Sequence, residues 1–255
     1  MINLRGKAAL ITGASRGIGR ATAIAFAEAG ADVAIHFNGD AEGANQASQE
    51  AALLGANAIT VQGDLGVWEV AERVVDDAWA QLGHIDVIVA NHGIWNTQPV
   101  AVEDIGQDAF EGMLAVNLAG VASVVAAGVR RMKATSTRGR VILVASTAAQ
   151  RGEAFHAHYA ASKGALVSFA KSLAVELADH GILVNCVAPG WVRTPMTEGV
   201  LADAKQRDGI AGSIPLGRVA EPEEIAGPIV FLASDLATFI TGEVLNVNGG
   251  AVLCG

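Results

Sequence analysis

The 255-residue sequence is poor in cysteine, basic residues and tyrosine, and the first two shortages exclude classes of protein. Two cysteines are too few for a disulfide scaffold, so we expect a reducing compartment, the cytoplasm. Lysine and arginine total 17 against 26 acidic residues, a formal net charge of −9, which disfavours a surface that tracks nucleic-acid phosphates. Because 51% of the residues are hydrophobic, the chain can bury a sizeable core.

Long apolar runs are also scarce, and residues 113–129 form the best candidate for a membrane span. Asn117 and Ser123 interrupt this run, which is slightly short for crossing a bilayer. Its glycine and alanine content suits close helix packing. We therefore expect a helix buried on most sides, partly at a subunit interface, and no membrane insertion. The N-terminal residues run directly into a strand pattern and lack the features of a signal peptide.

Short β-branched runs alternate with longer alanine-rich runs along the chain. The predicted strands are 7–12, 32–37, 57–62, 86–91, 140–146, 183–189 and 243–248. The predicted helices lie near 17–29, 41–54, 67–82, 104–134, 158–179 and 222–234. Apolar strands separated by helices indicate a doubly wound parallel sheet of about seven strands, covered by helices on both faces.

No repeat or proline-rich linker divides the sequence, so we expect a single domain over residues 1–255. The least regular stretch, 191–219, is rich in glycine and proline. Beside the carboxyl edge of a parallel sheet, such a stretch is typical of a mobile substrate lid.

A glycine-rich loop, TGASRGIG, joins the first predicted strand to the first predicted helix. Gly13 permits a tight turn, and Gly17 and Gly19 allow a pyrophosphate and the neighbouring strand to approach the backbone closely. The helix N-terminus offers free N–H groups and a positive dipole to phosphates. The loop therefore predicts a dinucleotide site, the alternative being a glycine-rich turn without a ligand.

The single tyrosine, Tyr159, precedes Lys163 by four residues, so both side chains share one helix face. A lysine charge about 4–6 Å away, at an effective dielectric of about 20, favours phenolate by roughly 3–4 kcal/mol. Neglecting burial, that lowers the phenol pKa by about two to three units, towards neutrality. The pair therefore predicts acid/base catalysis, the alternative being a packed tyrosine beside a solvated lysine.

Six motifs occur along the chain in a particular order: the glycine loop, ANHG (90–93), Asn117, Ser146, YAASK (159–163) and PGWVRT (189–194). Together they resemble the classical short-chain dehydrogenase/reductase family over nearly the whole length. The resemblance implies one Rossmann-like domain, often a homotetramer, that moves hydride between NAD(P) and a carbonyl or alcohol. Within that family, the chain is most similar to 3-oxoacyl-carrier-protein reductases.

The resemblance also implies catalytic roles for four residues. Ser146 would hydrogen-bond the substrate carbonyl oxygen, and Tyr159 would donate the proton in reduction. Lys163 would also reach the nicotinamide ribose, and Asn117 would hold a water that links Lys163 to solvent. Alternatively, Asn117 is a buried amide that satisfies irregular backbone, and Ser146 is an ordinary serine at a strand end.

For the cofactor, the resemblance implies contacts that follow the same motifs. Asp64 would bond the adenine amino group, unless it is a helix N-cap, and Asn91 would stabilise the central sheet. Val192 and Thr194 would hold the carboxamide of nicotinamide. The full implied set is Gly13, Ser15, Arg16, Gly17, Ile18, Gly19, Asp64, Leu65, Asn91, Gly93, Tyr159, Lys163, Pro189, Gly190, Val192 and Thr194.

The choice between NADP and NAD depends on two positions. Phe37 stands where an acidic residue at the end of the second strand would bind the ribose 2′-hydroxyl of NAD. Arg16 could pair with a 2′-phosphate, although Gly39 replaces a second basic residue often found there. We expect NADP to be favoured and NAD to remain possible.

Five residues lie just past strand ends or just before Tyr159, where the pockets of the family form: Trp95, Glu153, Phe155, His156 and Trp191. Of these, Trp95, His156 and Trp191 are predicted to contact substrate. The tryptophans indicate an apolar, bulky or aromatic carbonyl compound, unless they are core or interface residues. Two histidines in HAH (156–158), without a third ligand, do not predict a metal site.

Three other functions are weighed against reduction of a small-molecule ketone. Thr137 and His180 stand where carrier-docking relatives have arginines, and the net charge would repel an acidic carrier, so a 3-oxoacyl-carrier-protein reductase is the runner-up. A non-catalytic dinucleotide sensor would be expected to lack the tyrosine or lysine. A serine hydrolase is disfavoured because VASTA lacks the Gly-x-Ser-x-Gly elbow.

Overall fold

The computed structural model describes residues 2–253. Its strands are β1 (Ala8–Ile11), β2 (Asp32–Phe37), β3 (Ala58–Gln62), β4 (Val87–Ala90), β5 (Arg140–Val144), β6 (Leu183–Pro189) and β7 (Val244–Val247). Its helices are α1 (Gly17–Glu28), α2 (Ala41–Leu53), α3 (Trp68–Leu82), α4 (Gln107–Leu114), α5 (Gly120–Ala134), α6 (Ala148–Arg151), α7 (Ala157–Leu177), α8 (Glu198–Leu201), α9 (Ala204–Ser213) and α10 (Pro222–Ala233).

All seven strands join one parallel sheet in the order β3-β2-β1-β4-β5-β6-β7. This order confirms the doubly wound sheet predicted from the sequence. The direction of winding reverses between β1 and β4, and in open parallel sheets ligands bind at the carboxyl ends beside that point. The segments that leave β1, β4, β5 and β6 therefore meet at one edge of the sheet.

The sheet separates two apolar cores, as its continuous apolar strands require. One core packs α3, α5 and α7 against residues such as Leu10, Ile88 and Leu143. The other packs α1, α2 and α10 against the opposite side chains of the same strands, including Ile11, Val89 and Ile142. Because both faces are covered, only the strand ends can present a site.

The predicted helix 104–134 begins later than expected and is irregular in the middle. A 3₁₀ turn covers Val102–Asp104, α4 starts at Gln107, and a π-helical segment at Ala115–Ala119 joins α4 to α5. The continuous helix, residues 107–134, is long and apolar enough to cross a membrane, with a mean hydropathy of 1.9. Between residues 113 and 129 only Ala119 is exposed, which confirms a helix buried on most sides.

Residues 191–219 are more regular than their composition predicts. They contain α8 and α9, which share a small apolar core formed by Leu201, Ile214 and Val219 with Trp191 packed against it. A bridge between Val192 and Ala220 ties the base of this unit. The unit lies beside the carboxyl end of β6, where a lid is expected, and its mobility stays a prediction.

Candidate active site

A cavity of about 800 Å³ lies at the carboxyl ends of the central strands. The glycine loop after β1 lines one end, and Trp95 and Trp191 line the other. Ser146, Tyr159 and Lys163 lie in the same cavity. The topology therefore brings the predicted cofactor loop and the predicted catalytic residues together.

Close packing explains two of the loop glycines. Gly13 has a φ of +63°, and a Cβ there would lie 2.9 Å from the backbone of His92. A Cβ on Gly19 would overlap the carbonyl oxygen of Gly13 and lie 2.5 Å from the Asn91 amide nitrogen. Gly19 thus allows the close approach of neighbouring backbone that was expected of it, and its contact with the cofactor stays a prediction.

The remaining lining fits a dinucleotide. Helix α1 begins at Gly17, so its N-terminal N–H groups and dipole face the cavity, as phosphate binding requires. A Cβ on Gly17 would lie 3.3 Å from Thr194, which shows how narrow this part of the groove is. The predicted cofactor residues that line the cavity are Gly13, Ser15, Arg16, Gly17, Ile18, Asp64, Leu65, Asn91, Gly93, Tyr159, Lys163, Pro189, Gly190, Val192 and Thr194.

The side chains of Asn91 and Asp64 make different kinds of hydrogen bond. The Asn91 amide donates to the carbonyl oxygens of Thr12 (2.9 Å) and Gly13 (3.2 Å), the sheet-stabilising position expected of it. The Asp64 carboxylate accepts from the Gly66 N–H at 2.9 Å. Because α3 begins only at Trp68, Asp64 is not its N-cap, and the capping alternative is wrong.

A pair of buried histidines under the glycine loop was not predicted from the sequence. His36 Nδ1 accepts the Gly13 N–H at 3.1 Å, so the ring proton is on Nε2, 3.0 Å from the Gly63 carbonyl. His92 Nδ1 lies 2.7 Å from the Thr12 hydroxyl. Burial lowers the pKa of His36 to about 4 and that of His92 to about 3, so both rings are neutral supports of the loop.

The region that distinguishes the two nucleotides contains opposing charges. Arg16 is exposed at the cavity, as the sequence predicts, and Phe37 offers no carboxylate. Asp40, three residues beyond β2, lines the same cavity but also accepts the Gly43 N–H at the start of α2. A 2′-phosphate bound here would face the Arg16 guanidinium and the Asp40 carboxylate, which already caps helix α2.

The pKa of Tyr159 differs from the value that the sequence predicts. Burial raises its pKa to about 12; a hydrogen bond with Ser146 opposes that shift, and the nearby Glu153 charge adds to it. Lys163 is itself buried, and burial lowers its pKa to about 8. Its ammonium donates to the Val144 carbonyl at 2.9 Å. The prediction that Lys163 lowers the phenol pKa towards neutrality is therefore wrong, because burial raises that pKa and Lys163 is not among the groups that shift it.

Asn117 lies in the π-helical segment and is fully buried. Its side chain accepts from the Ile94 N–H at 2.7 Å and donates to the Ile94 carbonyl at 2.9 Å, so it clamps the loop that follows β4. It also donates to Met113 and Ser162. These contacts match the backbone-satisfying alternative, and the water-holding role stays a prediction.

The far end of the cavity is aromatic and carries a carboxylate. The rings of Trp95 and Trp191 are nearly perpendicular, with centroids 5.7 Å apart. His156 stacks on Trp95 with centroids 5.2 Å apart and does not line the cavity, so it supports the wall that it was expected to form. Glu153 lines the cavity, and burial raises its pKa. No cluster that could hold a metal ion occurs among residues 2–253.

Comparison with known proteins places this geometry in a family. A family model described as "Enoyl-(Acyl carrier protein) reductase" matches residues 13–252. A relative from Sphingomonas sp., L-rhamnose 1-dehydrogenase (NAD(P)(+)), is 40% identical over 97% of this chain and 96% of its own.

Two solved structures superpose over almost the entire fold. A short-chain type dehydrogenase/reductase from Mycobacterium marinum has a TM-score of 0.92 at 35% identity, covering 99% of this chain and 98% of that one. A 3-ketoacyl-(acyl-carrier-protein) reductase from Brucella melitensis, complexed with NADH, has a TM-score of 0.88 at 33% identity, covering 98% and 100%. With its parallel sheet, glycine loop and Ser146–Tyr159–Lys163 cluster, this chain belongs to the short-chain dehydrogenase/reductase family, NAD(P)-dependent oxidoreductases that act on CH–OH and C=O groups.

Proposed function

We propose that the protein interconverts a small-molecule ketone and its secondary alcohol, and that it uses NADP(H) in preference to NAD(H). The observation that carries this proposal is the position of Ser146, Tyr159 and Lys163 in one cavity with the glycine loop. The nicotinamide cofactor, when bound, supplies or accepts the hydride.

The side chains of this chain supply the proton and the orientation. Ser146 and Tyr159 both line the cavity, so a carbonyl oxygen bound between them would receive two hydroxyl donors. Because the pKa of Tyr159 is about 12, its phenol is protonated at neutral pH and is ready to donate in the reductive direction. The buried Lys163 ammonium, fixed on Val144, places a positive charge in the same cavity, where it can stabilise phenolate after that proton leaves.

The preference for NADP(H) is supported by Arg16. Its guanidinium is exposed at the cavity beside Asn38 and Gly39, where no carboxylate ends β2. A guanidinium binds a phosphate through charge-assisted hydrogen bonds. The Asp40 carboxylate would repel a 2′-phosphate, so the proposal keeps NAD(H) as a usable cofactor.

A 3-oxoacyl-carrier-protein reductase is the second candidate, favoured by the similarity to the 3-ketoacyl-(acyl-carrier-protein) reductase from Brucella melitensis. Against it, Arg130 and Arg131 on α5 are paired with Glu72 and Asp76 of α3, which neutralises the most basic stretch of that helix. The net charge of −9 also repels an acidic carrier.

We also propose that the protein is a homotetramer of the cytoplasm. Large apolar side chains are exposed on the described surface, among them Val175 on α7, which is 83% exposed, and Phe239, which is fully exposed. Half of the apolar window in the long helix 107–134 is only partly buried or exposed. The apolar C-terminal stretch 251–255 offers a further contact surface. Of its described residues, Leu253 is 89% exposed.

A substrate panel read by nicotinamide absorbance tests the proposed activity. Ketones and secondary alcohols, with an acetoacetyl thioester as the carrier-type probe, are assayed with NADPH, NADH, NADP⁺ and NAD⁺. We expect turnover of free ketones or alcohols, with a higher kcat/KM for the NADP couple. Turnover confined to the thioester would establish the second candidate, and binding of nucleotide without any turnover would leave only a sensor.

A further inference from the structure

The cavity beyond Ser146 and Tyr159 contains a carboxylate that the proposed reaction does not use. Glu153 lies in the loop between α6 and α7, and its side chain is only 23% exposed. It lines the cavity and is near enough to Tyr159 for its charge to raise the pKa of the phenol. A group bound to Glu153 would lie in the same cavity as the carbon that reacts.

The loop that carries Glu153 is held firmly against the loop that carries Trp95. The Val100 N–H donates to the Phe155 carbonyl at 2.9 Å, which ties the two loops together. Phe155 has a φ of +63°, a left-handed conformation that costs roughly 1–2 kcal/mol for a residue with a side chain. Strain of this kind persists only where the surrounding structure fixes it, and it is common at ligand sites.

Protein groups satisfy the Glu153 carboxylate only in part. His156 Nδ1 is 3.6 Å from the carboxylate, beyond hydrogen-bonding distance. The Trp95 indole N–H lowers the pKa of Glu153 but has no hydrogen-bond partner of good geometry within residues 2–253, and it is inaccessible to solvent. Arg151, the other cation that acts on Glu153, is exposed at the cavity lining. The cavity side of the carboxylate is thus left with acceptor capacity for a ligand.

The walls on either side fit a ring with apolar C–H faces. Trp95 and Trp191 stand at 88° to one another, and His156 stacked behind Trp95 holds that indole in place. An apolar ketone would fill this corner but would leave a largely buried carboxylate unpaired, which costs about 1–3 kcal/mol or more. An anionic substrate would meet a like charge. A ring that bears hydroxyl groups satisfies both the aromatic walls and the carboxylate.

We propose that Glu153 and the Trp95–Trp191 corner select an uncharged, polyhydroxylated ring compound, a sugar or cyclic polyol, with Glu153 accepting a hydrogen bond from a hydroxyl next to the reacting carbon. This inference rests on the oxidoreductase function proposed above. It replaces the expectation of an apolar carbonyl compound, which was based on the two tryptophans.

Matched substrate pairs that differ in hydroxyl groups provide the test. Cyclohexanone is compared with its α-hydroxy derivative in reduction, and cyclohexanol is compared with inositols and aldopyranoses in oxidation, with both cofactors. In the wild-type protein we expect kcat/KM to favour the hydroxylated partner by roughly 10²-fold or more, because a site built to bind a hydroxyl rejects the analogue that lacks it.

The variants Glu153→Ala and Glu153→Gln separate specificity from chemistry. We expect Glu153→Ala to reduce the preference at least about 10-fold, measured as the ratio of kcat/KM for the hydroxylated ring to kcat/KM for the plain ketone. Because the lost charge also acts on Tyr159, and does so with both substrates, this ratio cancels its effect. Glu153→Gln keeps the side-chain shape and one hydrogen-bond acceptor. Its preference for the hydroxylated ring is therefore expected to lie between those of wild type and Glu153→Ala. The matched control is Glu103→Gln, an exposed carboxylate outside the cavity lining, which should behave as wild type.

Each outcome bears on a different claim. Turnover with no preference for hydroxylated rings, or an equal loss of both substrate classes in Glu153→Ala, would overturn the inference and leave the oxidoreductase function standing. No turnover of any alcohol or ketone with either nucleotide would refute the proposed function, and the inference would fall with it.

Discussion

Lys163 is the only lysine or arginine that is buried among residues 2–253, being 4% exposed. Its place is fixed by one hydrogen bond to the end of β5 rather than by a carboxylate. A buried ammonium without an acidic partner is costly, and its pKa falls as a result. The protein therefore gives up stability to hold a positive charge in the cavity, as is common at catalytic sites.

The cost of this charge should appear in the pH dependence of stability. Burial lowers the pKa of Lys163 from 10.5 to about 8, so between these values the unfolded chain binds the proton more tightly than the folded one. Stability from this group therefore rises with pH across that window. We expect the free energy of unfolding of wild type, relative to Lys163→Met, to increase by about 3 kcal/mol from pH 7 to above the window.

Urea unfolding at several pH values measures this difference. Taking wild type against variant cancels the shifts of other groups, and Lys205→Met, an exposed lysine on α9, is the control that should show no such trend. A wild-type-to-Lys163→Met difference that stays constant from neutral to alkaline pH would contradict a depressed pKa.

Arg16 should determine nucleotide preference. Loss of a charge-assisted bond to the 2′-phosphate costs about 1.5–3 kcal/mol, so Arg16→Ala should raise KM for NADPH roughly 10- to 100-fold and leave KM for NADH nearly unchanged. Arg20→Ala is the control, because Arg20 pairs with Glu50 and does not line the cavity. Equal changes with both nucleotides would show that Arg16 does not contact the phosphate.

Among the elements, the helix 107–134 was predicted as a long helix, but its internal irregularity was not predicted. The hydrophobic pattern marks a long helix, yet the pattern contains no signal for a π-helical turn at Ala115–Ala119. That turn arises from tertiary contacts, since Asn117 must face the Ile94 backbone while Gly120 packs on the carbonyl of Leu65. Such turns are rare and are frequently found at functional sites.

Alanine substitutions at two glycines of this helix should change the free energy of unfolding in opposite directions. A Cβ on Gly120 would overlap the Leu65 carbonyl and lie 3.0 Å from His92 Nε2, whereas nothing lies within 4 Å of one on Gly112. We expect Gly120→Ala to lower the free energy of unfolding by about 1–3 kcal/mol. Gly112→Ala should raise it by about 0.5–1 kcal/mol, because alanine loses less entropy in a helix. Denaturant melts that show the same sign for both would contradict the packing described at Gly120.

The electrostatics of the site were the least predictable from the sequence. The i, i+4 spacing correctly put Tyr159 and Lys163 in one cavity, but spacing does not reveal how much water surrounds each group. Nor does it show that Lys163 turns to the Val144 carbonyl. Likewise, His156 and Glu153 lie close together in the sequence, and only the strained turn at Phe155 decides that one faces the cavity and the other packs behind Trp95.

For the whole molecule, the fold could be predicted almost completely. Alternating apolar strands and helices allow few arrangements other than a doubly wound parallel sheet, because crossovers are right-handed and both faces must be covered. The site then follows from topology, since the segments after β1, β4, β5 and β6 end at the same edge. Substrate identity does not follow, because it depends on side-chain placement in loops that no periodic pattern describes.

Assembly is the prediction that belongs to the entire molecule. We expect sedimentation velocity at micromolar concentration to give one species of four times the 26.0 kDa chain mass. Because apolar contacts are weakened little by salt, this species should persist at high ionic strength. A single species of one chain mass under these conditions would contradict the homotetramer.

The most direct test of the account is the activity of Tyr159→Phe. The chain contains no second tyrosine, and the substitution removes only the hydroxyl that donates the proton. With the best ketone of the panel, we predict that kcat/KM falls roughly 10²- to 10⁴-fold, while the nucleotide still binds and the fold is retained by circular dichroism. Turnover comparable to wild type in a folded, nucleotide-binding Tyr159→Phe protein would contradict the assignment of Tyr159 as the proton donor.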